Sequence, residues 1–147
     1  MDSYKEIDIN CDVGEGIGNE AELFPLISSC NIACGGHAGN TKEMKEIVQL
    51  AKLHKVKVGA HPSYPDKAKF GRVSMDITAD GLTQSIRRQI ENLVRIASKA
   101  QIGLNHIKPH GALYNDIAKN ESLTNIFLKA IAAYRTDVHL YVPYASV

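Results

Sequence analysis

Five short apolar segments alternate with longer amphipathic stretches along this chain, and this alternation limits the fold more than any other feature of the sequence. Short apolar runs are typical of buried strands, and stretches with a 3.6-residue periodicity are typical of helices. Strand–helix–strand alternation implies parallel strands joined by right-handed crossovers. The chain is therefore predicted to be an α/β protein, either a barrel or an open doubly wound sheet, with strands at residues 7–11, 31–35, 56–60, 104–108 and 138–142.

Three stretches between these strands have the apolar spacing of amphipathic helices. The first follows Thr41, which is the expected N-cap, and the second follows Thr78. The third covers residues 123–134. A fourth, short helix is predicted within residues 20–28, although Pro25 is unfavourable inside a helix.

The composition indicates a single domain and excludes several functional classes. The 147 residues suffice for one hydrophobic core, and a formal net charge of +1 gives no field that would attract nucleic acid or an anionic membrane. No apolar run approaches the ~20 residues that span a bilayer. Residues 1–6 do not resemble a signal peptide, so the cytoplasm is the expected compartment. The odd cysteine count predicts reduced thiols at Cys11, Cys30 and Cys34.

Polar side chains follow four consecutive predicted strands. In parallel α/β folds, functional groups collect beyond the carboxyl ends of the strands, so these side chains are expected to face one another. Three of the four strand ends carry a histidine beside glycine or proline, and the first carries carboxylates. In chain order, the candidate catalytic residues are Asp12, Glu15, His37, His61, Lys108 and His110.

Several of these positions also have a purely structural interpretation, such as that of a turn histidine for His61, which precedes Pro62. Asp12 and Glu15 are also suited to capping the next segment. The glycine-rich turn that contains Gly35, Gly36 and Gly39 is either a simple turn or a source of backbone amides for an anion. Lys108 is either a surface lysine or a group that holds a phosphate or polarises a carbonyl. The remaining histidines are assigned to structure or surface, and they are His54, His106 and His139.

The same segments resemble the LamB/YcsF family. The matching stretches lie at residues 8–15, 31–39, 59–62, 65–66, 70–72 and 108–115, and together they extend over nearly the whole chain. The longest are Asn-Ile-Ala-Cys-Gly-Gly-His-Ala-Gly at 31–39 and Lys-Pro-His-Gly-Ala-Leu-Tyr-Asn at 108–115. The resemblance implies a distorted parallel (β/α) barrel similar to that of polysaccharide deacetylases.

The resemblance also implies an activity, which is ATP-dependent opening of 5-oxoproline to L-glutamate by a 5-oxoprolinase. The family's A subunit works with subunits B and C, and ATP would arrive with Mg²⁺. Phosphate contacts are then expected from Lys108 and from the cofactor-binding set Gly35, Gly36, Gly39, Asn40 and Arg72. A base for water is expected among the histidines and carboxylates. Related barrels bind a divalent metal with one carboxylate and two histidines, which here would be Asp12, His37 and His61.

Three departures from the family pattern are visible. The family usually has an aromatic residue at Gly36 and an aspartate at Asn40, and Val73 stands where a second arginine is expected. Family members also continue beyond residue 147, so one incomplete barrel domain is expected over 1–147, open after about five strands or covered there by a homo-oligomer. The alternative hypotheses are a metal-dependent, deacetylase-like amide hydrolase and an inactive fragment.

Overall fold

The computed structural model describes residues 7–147 as alternating strands and helices. The strands are β1 (Asn10–Val13), β2 (Ser29–Ala33), β3 (Lys57–His61), β4 (His106–Ile107) and β5 (His139–Leu140). The α-helices are α1 (Glu20–Leu23), α2 (Thr41–His54), α3 (Ala79–Lys99), α4 (Gly111–Ile117) and α5 (Glu121–Ala130). Two 3₁₀ turns follow α1 and α5, at Phe24–Leu26 and Ala132–Tyr134.

The strands form one parallel sheet in the order β1-β2-β3-β4-β5. This confirms the predicted α/β class with parallel strands. Each strand pairs with its neighbour in the sequence, which is the arrangement of a (β/α) barrel, whereas a doubly wound sheet reverses its strand order at a switch point. All five carboxyl ends therefore lie on one edge of the sheet.

The core lies between the sheet and the helices. β2 is buried along its whole length, and α3 buries one face made of Leu82, Ile86, Ile90, Leu93 and Ala97. Each fully buried leucine or isoleucine contributes about 1.5–3 kcal/mol to stability, so α3 is a main source of the packing that fixes the sheet. The three cysteines are free thiols, and burial raises the pKa of Cys30 and of Cys34 to about 12.

Several boundaries differ from the predicted ones. β1 begins at Asn10 and not at residue 7, and the N-cap of α2 is Asn40 and not Thr41. The Asn40 Oδ1 accepts hydrogen bonds from the amides of Lys42 and Glu43, which makes Thr41 the first helical residue. The short helix predicted within residues 20–28 is α1, which ends at Leu23, followed by the 3₁₀ turn at Phe24–Leu26. Pro25 lies at the start of that 3₁₀ turn, where a proline is tolerated because its missing N–H would have no partner.

Helix α4 is an element that the sequence pattern does not predict, because its residues lie within the motif at 108–115 that follows the fourth strand. Its buried residues, Ala112, Leu113 and Ile117, cover less than two turns and give too short a periodic signal. In the part of the chain that the structure describes, no helix is both long and apolar enough to cross a membrane.

Candidate active site at the carboxyl edge of the sheet

Four side chains converge beyond the carboxyl ends of the first four strands. Glu15 follows β1, His37 follows β2, His61 ends β3, and His110 follows β4. One nitrogen or oxygen atom from each lies within 4.8 Å of the others. All three histidines are buried, so the cluster is largely shielded from solvent. The predicted convergence of these strand-end residues is therefore present in the structure.

Glu15 provides the negative charge at the centre of this cluster. Its Oε1 lies 2.7 Å from His37 Nε2, 3.2 Å from His110 Nδ1 and 3.6 Å from His61 Nε2. Burial alone would raise the pKa of Glu15, but hydrogen bonds to His110 and His37 outweigh it and lower the pKa to about 2. Glu15 is consequently a carboxylate at neutral pH.

Backbone carbonyl groups determine which ring nitrogens of His61 and His110 face the cluster. His61 Nδ1 donates to the Lys108 carbonyl at 2.6 Å, and His110 Nε2 donates to the Phe70 carbonyl at 2.9 Å. In neutral rings, the opposite nitrogens then carry lone pairs. These are His61 Nε2 and His110 Nδ1, which are 3.0 Å apart beside the Glu15 carboxylate.

Two lone pairs and a carboxylate at such short range repel one another unless a cation lies between them. A proton shared by the two rings satisfies this requirement, and so does a divalent metal. Metal-bound histidines commonly donate their second nitrogen to a carbonyl, as His61 and His110 do here. The donor set of three imidazoles and one carboxylate therefore fits a divalent transition metal.

His37 completes the donor set as a neutral ring. Burial lowers its pKa, although the hydrogen bond to Glu15 acts in the opposite direction. Its ring stacks on that of His110, with centroids 3.5 Å apart and planes 3° from parallel. Within residues 7–147, its Nδ1 is a buried atom without a hydrogen-bond partner.

Asp12 lies beside the cluster and is paired with Lys108. Asp12 Oδ1 accepts from Lys108 Nζ at 2.9 Å and from Asn31 Nδ2 at 2.8 Å, while Oδ2 is 3.5 Å from His61 Nε2. Burial opposes ionisation of Asp12, but His61, Lys108 and Asn31 lower its pKa well below the usual value. The predicted metal set of Asp12, His37 and His61 remains a prediction, and the four-donor group contains Glu15 and His110 in place of Asp12.

The glycine-rich turn before α2 is closely packed. The Gly35 amide donates to the Ala38 carbonyl at 2.8 Å. A Cβ at Gly36 would lie 2.3 Å from Ser63 Oγ, and one at Gly39 would lie 2.4 Å from the Ala33 carbonyl oxygen. Asn40 caps α2. These contacts give the four residues of the turn structural roles, and nucleotide binding by them stays a prediction.

A cleft of about 470 Å³ opens next to the cluster. Its lining includes Asp12, His61, Lys108, His110 and Arg72. Arg72 belongs to the predicted cofactor-binding set, and it is the member of that set that lines this cleft. Two histidines of the cluster and two cationic side chains, Lys108 and Arg72, therefore line the same cleft.

The three histidines assigned to structure or surface lie outside the cluster. His54 ends α2, His139 is exposed on β5, and His106 is buried on β4, where its Nε2 donates to Asn31 Oδ1 at 2.5 Å. Asn31 links His106 to Asp12, and it was not predicted as a functional residue. The sequence signal that could have identified Asn31 is its amide side chain directly before the apolar strand residues Ile32 and Ala33.

Comparisons with known proteins show which proteins the chain resembles. The LamB/YcsF family model matches residues 7–147. The A subunit of 5-oxoprolinase from Haemophilus influenzae (strain PittGG) is 43% identical over 136 residues, which are 92% of this chain and 55% of that protein. The corresponding 5-oxoprolinase protein of Staphylococcus aureus (strain Newman) is 43% identical over 130 residues, with 85% of this chain and 52% of that protein covered.

A solved structure has the same fold. The lactam utilization protein from Thermus thermophilus superposes with a TM-score of 0.90 at 36% sequence identity, over 96% of this chain and 59% of that one. The chain spans about half the length of the curated relatives it matches.

Proposed function

The chain belongs to the LamB/YcsF family, and from this premise we propose that it carries reacting groups of the A subunit of an ATP-dependent 5-oxoprolinase. The observation that supports this proposal is the cluster of Glu15, His37, His61 and His110 beside the Asp12–Lys108 pair. It places acid–base groups and a cation at one cleft, which hydrolysis of an activated amide requires.

The proposed reaction converts 5-oxoproline, ATP and two molecules of water into L-glutamate, ADP and phosphate. A five-membered lactam is a stabilised amide and a poor electrophile. Transfer of the γ-phosphoryl group to the lactam carbonyl oxygen turns that oxygen into a leaving group. Water then attacks the activated carbon and the bond to the ring nitrogen breaks, which opens the ring as an acyl phosphate. A second water attacks the acyl phosphate and releases the phosphate.

His61 and His110 are the proposed proton-transfer pair. Their facing nitrogens, 3.0 Å apart, have room for one proton between them. The pair would give the proton that it shares to the ring nitrogen as the amine leaves, and would regain a proton from the attacking water. The Glu15 carboxylate, 3.2 Å from His110 Nδ1, stabilises the positive charge of the shared proton.

Lys108 is the proposed electrostatic partner of the reacting oxygen. Asp12 holds its ammonium group at 2.9 Å, on the wall of the cleft beside His61 and His110. An ammonium group there stabilises negative charge on the carbonyl oxygen or on the transferred phosphoryl group. Asp12 is thus proposed to position Lys108, while subunits B and C are proposed to provide the remainder of the assembly.

Activity measurements test this proposal directly. The chain is mixed with subunits B and C, and glutamate and ADP are measured with and without 5-oxoproline, beside the full-length relative from Haemophilus influenzae. We expect His61→Ala and Lys108→Ala to abolish glutamate formation, whereas His139→Ala and Lys99→Ala, two exposed control variants, retain it. If the full-length relative is active and this chain is not, the chain is an inactive fragment and the proposal is wrong.

A second candidate function is metal-dependent hydrolysis of an amide without ATP. The four-donor cluster favours it, because the lone pairs that would share a proton also suit a divalent metal. A metal bound there would act as a Lewis acid and lower the pKa of a bound water. One equivalent of tightly bound metal, together with turnover in the absence of ATP, would select this function over the first.

A further inference from the structure

We propose that Arg72 binds the carboxylate of the substrate, so that this residue makes the site selective for lactams that carry an acid group. This inference rests on the proposed function. It gives Arg72 a different ligand from the phosphate that the family resemblance implies for it.

The charges around the cleft point to Arg72 as the available cation. The ionised side chains in its lining are Asp12, Lys108 and Arg72. Lys108 is neutralised by Asp12 at 2.9 Å. Among residues 7–147, Arg72 forms no ion pair with any carboxylate. With Lys108 paired, Arg72 is the cation in this lining that is available to an anionic group of a substrate.

The backbone at Arg72 is fixed relative to the histidine cluster. Phe70 and Gly71 are left-handed, with φ of 54° and 61°. The Phe70 carbonyl accepts from His110 Nε2, and the Gly71 carbonyl accepts from the Ala112 amide at 2.9 Å. A Cβ on Gly71 would lie 3.1 Å from His37 Cβ and 3.2 Å from His110 Cδ2. The loop therefore fixes the point from which the Arg72 side chain extends.

Phe70 also orients the guanidinium group. The Arg72 Cζ lies 5.5 Å from the centroid of the Phe70 ring, within the range of a cation–π interaction. A planar guanidinium that stacks on a ring keeps its N–H edge available, and that edge matches the two oxygens of a carboxylate. In 5-oxoproline, the carboxylate and the lactam carbonyl lie on opposite sides of the ring nitrogen. Binding the carboxylate at Arg72 thus leaves the carbonyl free to reach Lys108 and the histidines.

Binding measurements with two lactams test this assignment. 5-Oxoproline and 2-pyrrolidinone, which is the same ring without the carboxylate, are titrated calorimetrically into the chain mixed with subunits B and C. The variants are Arg72→Gln and a matched control, Arg88→Gln, which is exposed on α3 and does not line the cleft. We expect Arg72→Gln to weaken 5-oxoproline binding by about 10- to 100-fold and to leave 2-pyrrolidinone binding unchanged. Arg88→Gln should change neither.

Other outcomes overturn the inference in distinguishable ways. If Arg72→Gln weakens binding of a non-hydrolysable ATP analogue and leaves 5-oxoproline binding intact, the ligand is a phosphate. If the unaltered chain binds both lactams equally, Arg72 does not recognise the carboxylate, while the proposed function stands. If the full-length Haemophilus influenzae relative binds 5-oxoproline and this chain does not, the proposed function fails and the inference fails with it.

Discussion

Two carboxylates three residues apart, Asp12 and Glu15, have different closest partners, although both lie near His61 Nε2. Asp12 Oδ1 accepts from Lys108 and Asn31, whereas Glu15 Oε1 faces three imidazoles. Gly14, between them, has φ of +74°, a conformation that redirects the chain at the end of β1. The sequence pattern predicts both carboxylates after the first strand, whereas Asp12 lies within β1 and Glu15 follows it. Their division into a partner of Lys108 and a partner of the histidines depends on this turn.

This division predicts which carboxylate binds a metal. We expect Glu15→Gln to weaken Zn²⁺ or Mn²⁺ binding by about 100-fold or more, because removing a direct ligand should cost at least as much as removing an outer-shell partner. Asp12→Asn should weaken metal binding less, since Asp12 lies outside the four-donor group. Competition with a chromophoric chelator measures both affinities. A larger loss for Asp12→Asn would instead support the set of Asp12, His37 and His61.

His106 is a second residue whose environment has a measurable consequence. It is fully buried, its Nε2 donates to Asn31 Oδ1, and its ring stacks on Tyr141 with centroids 4.3 Å apart. A Cβ at Gly59 would lie 2.1 Å from His106 Nε2, so the ring occupies space that only glycine leaves free. Burial lowers the pKa of His106 to about 4.

The lowered pKa predicts a loss of stability in mild acid. Between pH ~6.5 and ~4, the unfolded chain binds a proton at His106 and the folded chain does not, so the free energy of unfolding falls as the pH falls. Over this whole pH range, the protonation of His106 lowers the free energy of unfolding by about 3 kcal/mol. Chemical denaturation of the unaltered chain and of His106→Gln measures it, because groups common to both cancel in the difference. A difference that is the same at pH 7 and pH 4.5 would contradict the prediction.

At the scale of helices and strands, the start of α2 shows how local chemistry determines a boundary. Both Asn40 and Thr41 are residue types that cap helices. Asn40 has extended backbone angles, and its Oδ1 accepts from two amides of the first turn at 2.9 and 3.0 Å. Asn40 therefore stabilises the helix that follows the His37 loop.

Two alanine substitutions distinguish these adjacent residues. Asn40→Ala should lower the free energy of unfolding by about 1 kcal/mol, because it leaves the amides of Lys42 and Glu43 without their acceptor. Thr41→Ala should have little effect, since Thr41 is exposed and is already the first helical residue. Urea denaturation of both variants provides the comparison, and equal losses would mean that Asn40 is not the cap.

The elements that were predictable are those with a long periodic signal. α3 has 21 residues with a regular apolar face, and the prediction of a helix that follows Thr78 is confirmed, with Thr78 as its N-cap. β4 and β5 have two residues each, fewer than the five predicted for each strand. Their lengths depend on pairing with neighbouring strands, which sequence periodicity does not contain.

The convergence of the candidate residues was predictable, but their detailed contacts were not. The rule that functional groups collect at the carboxyl ends of parallel strands predicts that Glu15, His37, His61 and His110 face one another, and these four side chains do converge. The carbonyl partners of His61 and His110 come from Lys108 and Phe70, which are distant from them in sequence or belong to an irregular loop. Such contacts leave no pattern in the residue types, because any residue offers a carbonyl group.

At the scale of the whole molecule, the cluster depends on assembly of the sheet. Its four donors lie at the carboxyl ends of four different strands, so they meet only when β1 to β4 have paired in the order observed. In an unfolded chain, Glu15 and His110 are separated by most of the sequence, and a preformed site does not exist. A ligand that binds all four donors must therefore favour the folded state.

This linkage predicts that a divalent metal stabilises the protein against heat. At a free metal concentration 100 times the dissociation constant, the stabilisation is about 2.7 kcal/mol, which raises the melting temperature of a domain of this size by roughly 5–10 °C. Differential scanning fluorimetry with Zn²⁺ or Mn²⁺ measures the shift, and EDTA should reverse it. His61→Ala should lose the shift, whereas His139→Ala, which alters an exposed histidine outside the cluster, should keep it. If the melting temperature is unchanged by either metal, the cluster does not hold a metal ion, and the proton shared by His61 and His110 becomes its required cation.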